Sequence, residues 1–225
     1  MRFNRLTGSA LFAAGIAALV PSPSEGQGIA ALEAAAEKFA TVTSMCAEFE
    51  QLLTVELLRQ EVSSRGTMCQ RRPGFFSMAF SDPQGDRILA DGTWFWLHMP
   101  SQNPGQVVRI PMSSRPQGLD FYREFLEDPL QKYVATEAGA ETVGGIATRA
   151  VRLVPNAGNY REATVWIDPA QALVRRIRIT ENDGTVRRID LRDIRLNPTL
   201  ASDFFSYTPP VGTEVITLNG GVPSP

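Results

Sequence analysis

The chain has 225 residues, with 22 basic and 24 acidic side chains, one histidine and two cysteines. That length fits one or two domains, and 43% hydrophobic with 20% charged residues excludes wholesale disorder. A formal charge of −2 argues against a nucleic-acid binder, and one histidine leaves little room for an imidazole metal site or a histidine-based triad.

Residues 1–26 read as a secretory signal peptide. Arg2 and Arg5 form a positive start, Leu6 to Val20 is a mostly apolar run, and Pro21 and Pro23 break it. Ser24 and Gly26 supply small residues for cleavage, with Gln27 as the first mature residue. The run is short for a membrane span of about 20 residues. A single domain is expected over residues 27–219, followed by a loose tail at 220–225. Export would place Cys46 and Cys69 in an oxidising compartment.

Ile29 to Ala40 is alanine-rich, and Ile29, Leu32, Ala36 and Phe39 recur at helical spacing, which predicts a helix. From Met45 the period becomes two. Met45, Ala47, Phe49, Gln51 and Leu53 share one face, and Cys46, Glu48, Glu50 and Leu52 the other. A second strand is expected from about Arg59 to Arg71, with Val62, Gly66 and Met68 on one parity and Cys69 on the other. A hairpin centred between Leu57 and Leu58 sets Cys46 opposite Cys69 on the outward face. The pair then forms either a cross-strand disulfide or two free thiols.

Strands follow at Phe75–Phe80, Asp86–Ala90, Thr93–His98 and Val107–Ile110, punctuated by Asp-Pro and Asp-Gly turns. Leu119 to Leu130 interrupts them: Leu119, Tyr122, Phe125, Leu126 and Leu130 predict a short helix or lid. Five further strands, Val134–Thr136, Ala147–Val154, Ala163–Ile167, Leu173–Thr180 and Val186–Leu191, lie between Gly- and Pro-rich turns. The fold class is therefore mainly β with some α. A sheet of ten or more strands must curl into a barrel or split, and a curled sheet under a helix encloses an apolar space.

An ordered series of motifs then resembles the LolA family of periplasmic outer-membrane lipoprotein carriers. It comprises Phe49-Glu50-Gln51, Gln70-Arg71-Arg72-Pro73-Gly74-Phe75-Phe76, Asp91-Gly92-Thr93-Trp94-Phe95-Trp96 and Gln106-Val107. It continues with Val165-Trp166-Ile167-Asp168 and ends with Phe204-Phe205-Ser206-Tyr207-Thr208-Pro209-Pro210-Val211-Gly212. The resemblance implies an incomplete, open antiparallel barrel covered by helices, with a cavity that takes lipoprotein acyl chains. It implies a monomer that receives acylated lipoproteins from an inner-membrane release complex and delivers them to an outer-membrane receptor, without a cofactor. It also makes Arg72 the residue that latches the lid.

The cavity candidates are Met45, Phe49, Met68, Phe76, Met78, Phe80, Trp94 and Trp96, each equally readable as ordinary core. Phe121, Tyr122 and Phe125 are the lid candidates. Enzyme readings lack parts. His98 has no nucleophile motif beside it, and Glu48 with Glu50 is ordinary alternation on a solvated face. A lipid- or lipoprotein-sensing module, or a carrier of another amphiphile, on the same fold are the alternatives.

Overall fold

The computed structural model describes residues 26–114, 121–158 and 160–218. The signal peptide assigned to 1–26 lies outside them save for Gly26, as do Leu119 and the tail at 220–225. The first element is the helix α1 (Gln27–Ala40), which buries Gly28, Ala31, Leu32, Ala35 and Phe39 along one face. Of the predicted stripe, Leu32 and Phe39 are buried and Ile29 and Ala36 half-buried, the buried face being turned towards Ala31 and Ala35.

Twelve strands form one sheet in the order β12-β6-β5-β4-β3-β2-β1-β11-β10-β9-β8-β7. They are β1 (Ser44–Val55), β2 (Gln60–Arg71), β3 (Phe75–Asp82), β4 (Gln84–Asp91), β5 (Trp94–His98) and β6 (Gln106–Pro111). After two short helices come β7 (Tyr133–Val143), β8 (Ile146–Pro155), β9 (Tyr160–Asp168), β10 (Leu173–Glu181), β11 (Val186–Leu196) and β12 (Glu214–Thr217). The ladder is antiparallel except where β12 lies parallel to β6. Its two edges, β12 and β7, are not paired with each other, so the barrel is incomplete. Buried residues from both halves, among them Phe95, Ile110, Val151 and Val165, belong to one core cluster, so the sheet curves around a common interior.

The β1–β2 register is the expected one. Cys46 stands opposite Cys69, and Val55 opposite Gln60. At Gly66 the next strand comes very close. A Cβ there would sit 2.1 Å from the Ala79 carbonyl oxygen, which only glycine avoids.

The segment expected as one helix up to Leu130 is two, α2 (Phe121–Leu126) and α3 (Pro129–Lys132). Pro129 has no N–H to continue a helix and disfavours a helical residue before it, and Asp128 turns to φ 50°. Two elements escape periodicity. β7 extends far past Thr136 because it is an edge strand exposed on most of its length, with an irregularity between Glu137 and Ala140. β12 has four residues and pairs with a strand about a hundred positions away.

Candidate functional site

The inner face of the sheet is built in rows of Cα partners. One row runs through Ala47, Met68, Met78, Ile88 and Leu97. Its neighbours run through Phe49, Gly66 and Phe80, and through Gln70, Phe76, Ala90 and Phe95. Met45, Phe49, Met68, Phe76, Met78 and Phe80 are all buried in the one main cluster. Phe49 and Phe80 meet edge to face with ring centroids 5.2 Å apart. Three of the six methionines lie here. Thioether chains are flexible and repack at little cost, so this face can accept variable contacts. These side chains line the interior.

Trp94 and Trp96 correct the expectation. They lie on the outer face, because Trp96 pairs through Leu89 and Ser77 with the row of Cys69 and Cys46. They form a separate cluster with Leu89, Val107 and Tyr207. The reason is polar. The Trp96 indole N–H donates to Asp91 Oδ2 at 2.7 Å, a bond no methionine or phenylalanine of the interior could supply. On β5 the inward residues are Phe95 and Leu97.

The cysteines form a disulfide with Cα atoms 4.1 Å apart. It faces outward as expected and is nevertheless buried. The C-terminal segment crosses it, placing Phe205 against it with Phe75, Leu200 and Phe204 around. Arg71 stacks over Phe75 and Phe205 at 4.7 and 4.9 Å.

α1 lies across the interior and is fastened at both ends. At its C-terminus, Arg72 donates from Nη2 to the Phe39 carbonyl at 2.8 Å and from Nη1 to the Ala40 carbonyl at 3.2 Å. The same guanidinium sits 4.2 Å over the Phe39 ring. At its N-terminus, Glu137 Oε1 accepts from the N–H groups of Gly28 and Ile29 at 2.7 and 3.2 Å. Gly28 leaves space for that carboxylate, which a Cβ would meet at 2.5 Å. An acid at the N-terminus and a base at the C-terminus both complement the helix dipole. Lys38 adds a bond to the Gln171 carbonyl at 2.6 Å. Arg72 was legible in sequence only through the resemblance. Glu137 carried no signal, since it sits on an exposed edge strand that no period marks.

α2 is pinned from below. Tyr122 packs its ring 5.2 Å from Phe39, and Phe125 lies about 6 Å from both Tyr133 and Tyr160. The side chain of Phe121 lies outside the described residues. The Tyr133 and Tyr160 hydroxyls are 2.8 Å apart and both reach Glu124 Oε1, at 2.9 and 3.0 Å. Burial pushes the pKa of Tyr122, Tyr133 and Tyr160 well above the ordinary tyrosine value, with Arg175 pulling that of Tyr122 the other way. The Tyr122 hydroxyl and the Nε of Arg175 are buried without a hydrogen-bond partner among the described residues. Arg175 sits at an irregularity of β10 and binds Asp168 at 2.9 Å and Gln171 at 2.8 Å through Nη2.

The interior ends in charge near the β10–β11 turn. There burial lowers the pKa of Arg187 and raises that of Glu181, each partly offset by the other's charge. A cleft of about 520 Å³ opens elsewhere, along β1, β2, β3 and β11, with Glu48, Glu50, Arg65 and Arg192 in its walls. The Arg192–Glu50 ion pair, 2.9 Å across, makes it a polar surface feature unlike the apolar interior.

Fold and site together define an open-barrel protein whose apolar interior is covered by a helix instead of being closed by strands. The model of the family described as outer membrane lipoprotein carrier protein LolA matches residues 40–208, and the chain belongs to this family. An outer-membrane lipoprotein carrier protein of Chromobacterium violaceum is 26% identical over 92% of this chain and 96% of its own length. Another, from Methylobacillus flagellatus, is 25% identical over 89% and 94%. Among solved structures, an uncharacterized conserved protein of Thermus thermophilus shares the fold with a TM-score of 0.52 at 11% identity, covering 85% of this chain and 98% of that one. Lipoprotein LppX of Mycobacterium tuberculosis shares it with a TM-score of 0.50 at 16% identity, covering 80% and 100%.

Proposed function

We propose that the mature chain is a periplasmic carrier that shelters the acyl chains of lipoproteins between the sheet and α1–α2. It accepts them from an inner-membrane release complex and passes them to an outer-membrane receptor. Family membership supports the cargo class, and the observation that carries the mechanism is the fastening of α1 over a methionine- and phenylalanine-lined interior. Exposing an acyl chain to water costs about 0.8 kcal/mol per methylene, so a lipoprotein cannot cross an aqueous gap alone. A carrier must also let go. Arg72 is a surface residue, and its bonds to two helix carbonyls, at about 0.5 kcal/mol each for an exposed side chain, are breakable. When the bonds of Arg72 and Glu137 give way, α1 lifts and the interior side chains repack around the incoming chains. No covalent step is involved, and transfer runs on differences in affinity.

Native mass spectrometry of the mature chain with a triacylated lipoprotein tests this, with the non-acylated form as control. A one-to-one complex that requires the acyl chains is expected. A folded chain that binds neither form, or both equally, refutes the reading; retained host amphiphiles would then identify another cargo. Phe76→Glu should abolish cross-linking of lipoprotein to the interior while leaving the disulfide intact.

A further inference from the structure

The β1–β2 hairpin ends in an apolar point that no described part of the chain covers. Leu57 and Leu58 lie on the short helical turn Glu56–Leu58 and are 89% and 67% exposed, and Val62 on the returning strand is 40% exposed. The point lies at the far end of β1 from Arg72, about 40 Å along the strand over twelve residues at about 3.3 Å each. It outruns its neighbours. Pairing with β11 stops at Thr54 and Val186, and pairing with β3 stops at Arg65 and Asp82, so residues 60–64 have β1 alone beside them.

The shape selects the partner. Two adjacent leucines on a convex turn form no groove, and they offer far less area than a stable protein interface buries. Shallow insertion into a bilayer needs no complementary surface. The charges are mixed. Arg59 follows the leucines and is exposed, with no ion pair among the described residues. The Glu56 carboxylate is turned back beside Gly184, and Glu61 lies 3.4 Å from the Thr54 hydroxyl. Arg59 can meet a lipid phosphate, but the exposed Glu56 and Glu61 oppose charge attraction, so the leucines must carry the binding. The inward parity of the hairpin, Phe49 to Leu53 opposite Val62, also carries apolar side chains from the core towards the point, interrupted by Gln51 opposite Ser64.

We infer that Leu57 and Leu58 dock the protein transiently on a phospholipid bilayer by entering the boundary between headgroups and acyl chains. That this brings the carrier to the membrane it exchanges cargo with rests on the function proposed above; the docking itself does not. The test is flotation of the mature chain, without cargo, with protein-free vesicles of phosphatidylethanolamine and phosphatidylglycerol. The chain should float with the vesicles and still do so in high salt, where charge attraction is screened. The double variant Leu57→Glu, Leu58→Glu should lose about tenfold or more of the bound fraction. Val211→Glu, at another fully exposed apolar position, should retain it. Far-UV circular dichroism checks that both variants are folded. The inference is overturned if the parent chain does not float, or if Val211→Glu loses as much as the double variant. It is equally overturned if binding vanishes in salt, or if only vesicles carrying membrane proteins capture the chain, which would assign the point to a protein pocket. Cargo binding is measured separately, so a failure here and a failure of the carrier reading are distinguishable.

Discussion

On the inner face Met68 stands opposite Met78, and Phe49 meets Phe80 edge to face. On the outer face the aromatics have polar or charged partners. Trp96 is held by Asp91, Trp94 lies 4.3 Å under Arg109, and Phe75 and Phe205 sit against Arg71 over a disulfide. The two faces bury similar residue types by different means. Non-directional contacts can be exchanged for other apolar contacts at small cost, whereas an indole–carboxylate bond or a disulfide specifies one arrangement. A face whose contacts can be exchanged at small cost and a face whose contacts specify one arrangement thus sit back to back on the same strands.

The largest effect concerns the buried tyrosines Tyr122, Tyr133 and Tyr160. Their values are raised in the folded state and return towards 10.0 when the chain unfolds. Above that pH the unfolded chain releases protons that the folded chain holds. The stabilisation is therefore complete below about pH 10 and is lost as pH rises above it towards the raised folded-state values. Urea midpoints taken between about pH 9 and about pH 11 should show the fall. Tyr160→Phe should make it shallower.

Removing the outer staple comes next. Cys46→Ala with Cys69→Ala should cost about 3 kcal/mol in urea unfolding, with lipoprotein binding retained because the bridge lies behind the interior. Loss of binding in a folded variant would break the separation of the two faces. A matched pair of substitutions sharpens it. Trp96→Phe should cost about 1–3 kcal/mol by taking the indole donor from Asp91 Oδ2, while Met78→Leu should cost less than about 1.5 kcal/mol. Equal costs would show that the inner face is as specific as the outer. The smallest effect on stability is expected at the latch. Arg72→Leu should cost about 1 kcal/mol and yet visibly accelerate amide hydrogen exchange along α1, since it removes the two bonds that end the helix.

Much of this was readable along the chain. The change from helical to two-residue period at Met45, and the hairpin centre between Leu57 and Leu58, placed Cys46 opposite Cys69 because each depends only on local alternation and turn position. The same alternation put Phe76, Met78 and Phe80 on one face. It also separated Trp94 and Trp96 from Phe95 and Leu97, but parity does not say which side of a strand is the interior. That choice was made by Asp91 and by Tyr207 in the C-terminal segment, which give the indoles partners on the outside.

By itself, then, the sequence determined most of the elements, their neighbours along the meander and which residues share a face of each strand, because these follow from contacts a few residues apart. Tertiary structure alone decided how the C-terminal segment buries the disulfide, how β12 finds β6, and how Glu137 and Arg72 clamp the two ends of α1. Each joins residues from about thirty to more than a hundred positions apart, and no local periodicity records a partner that distant.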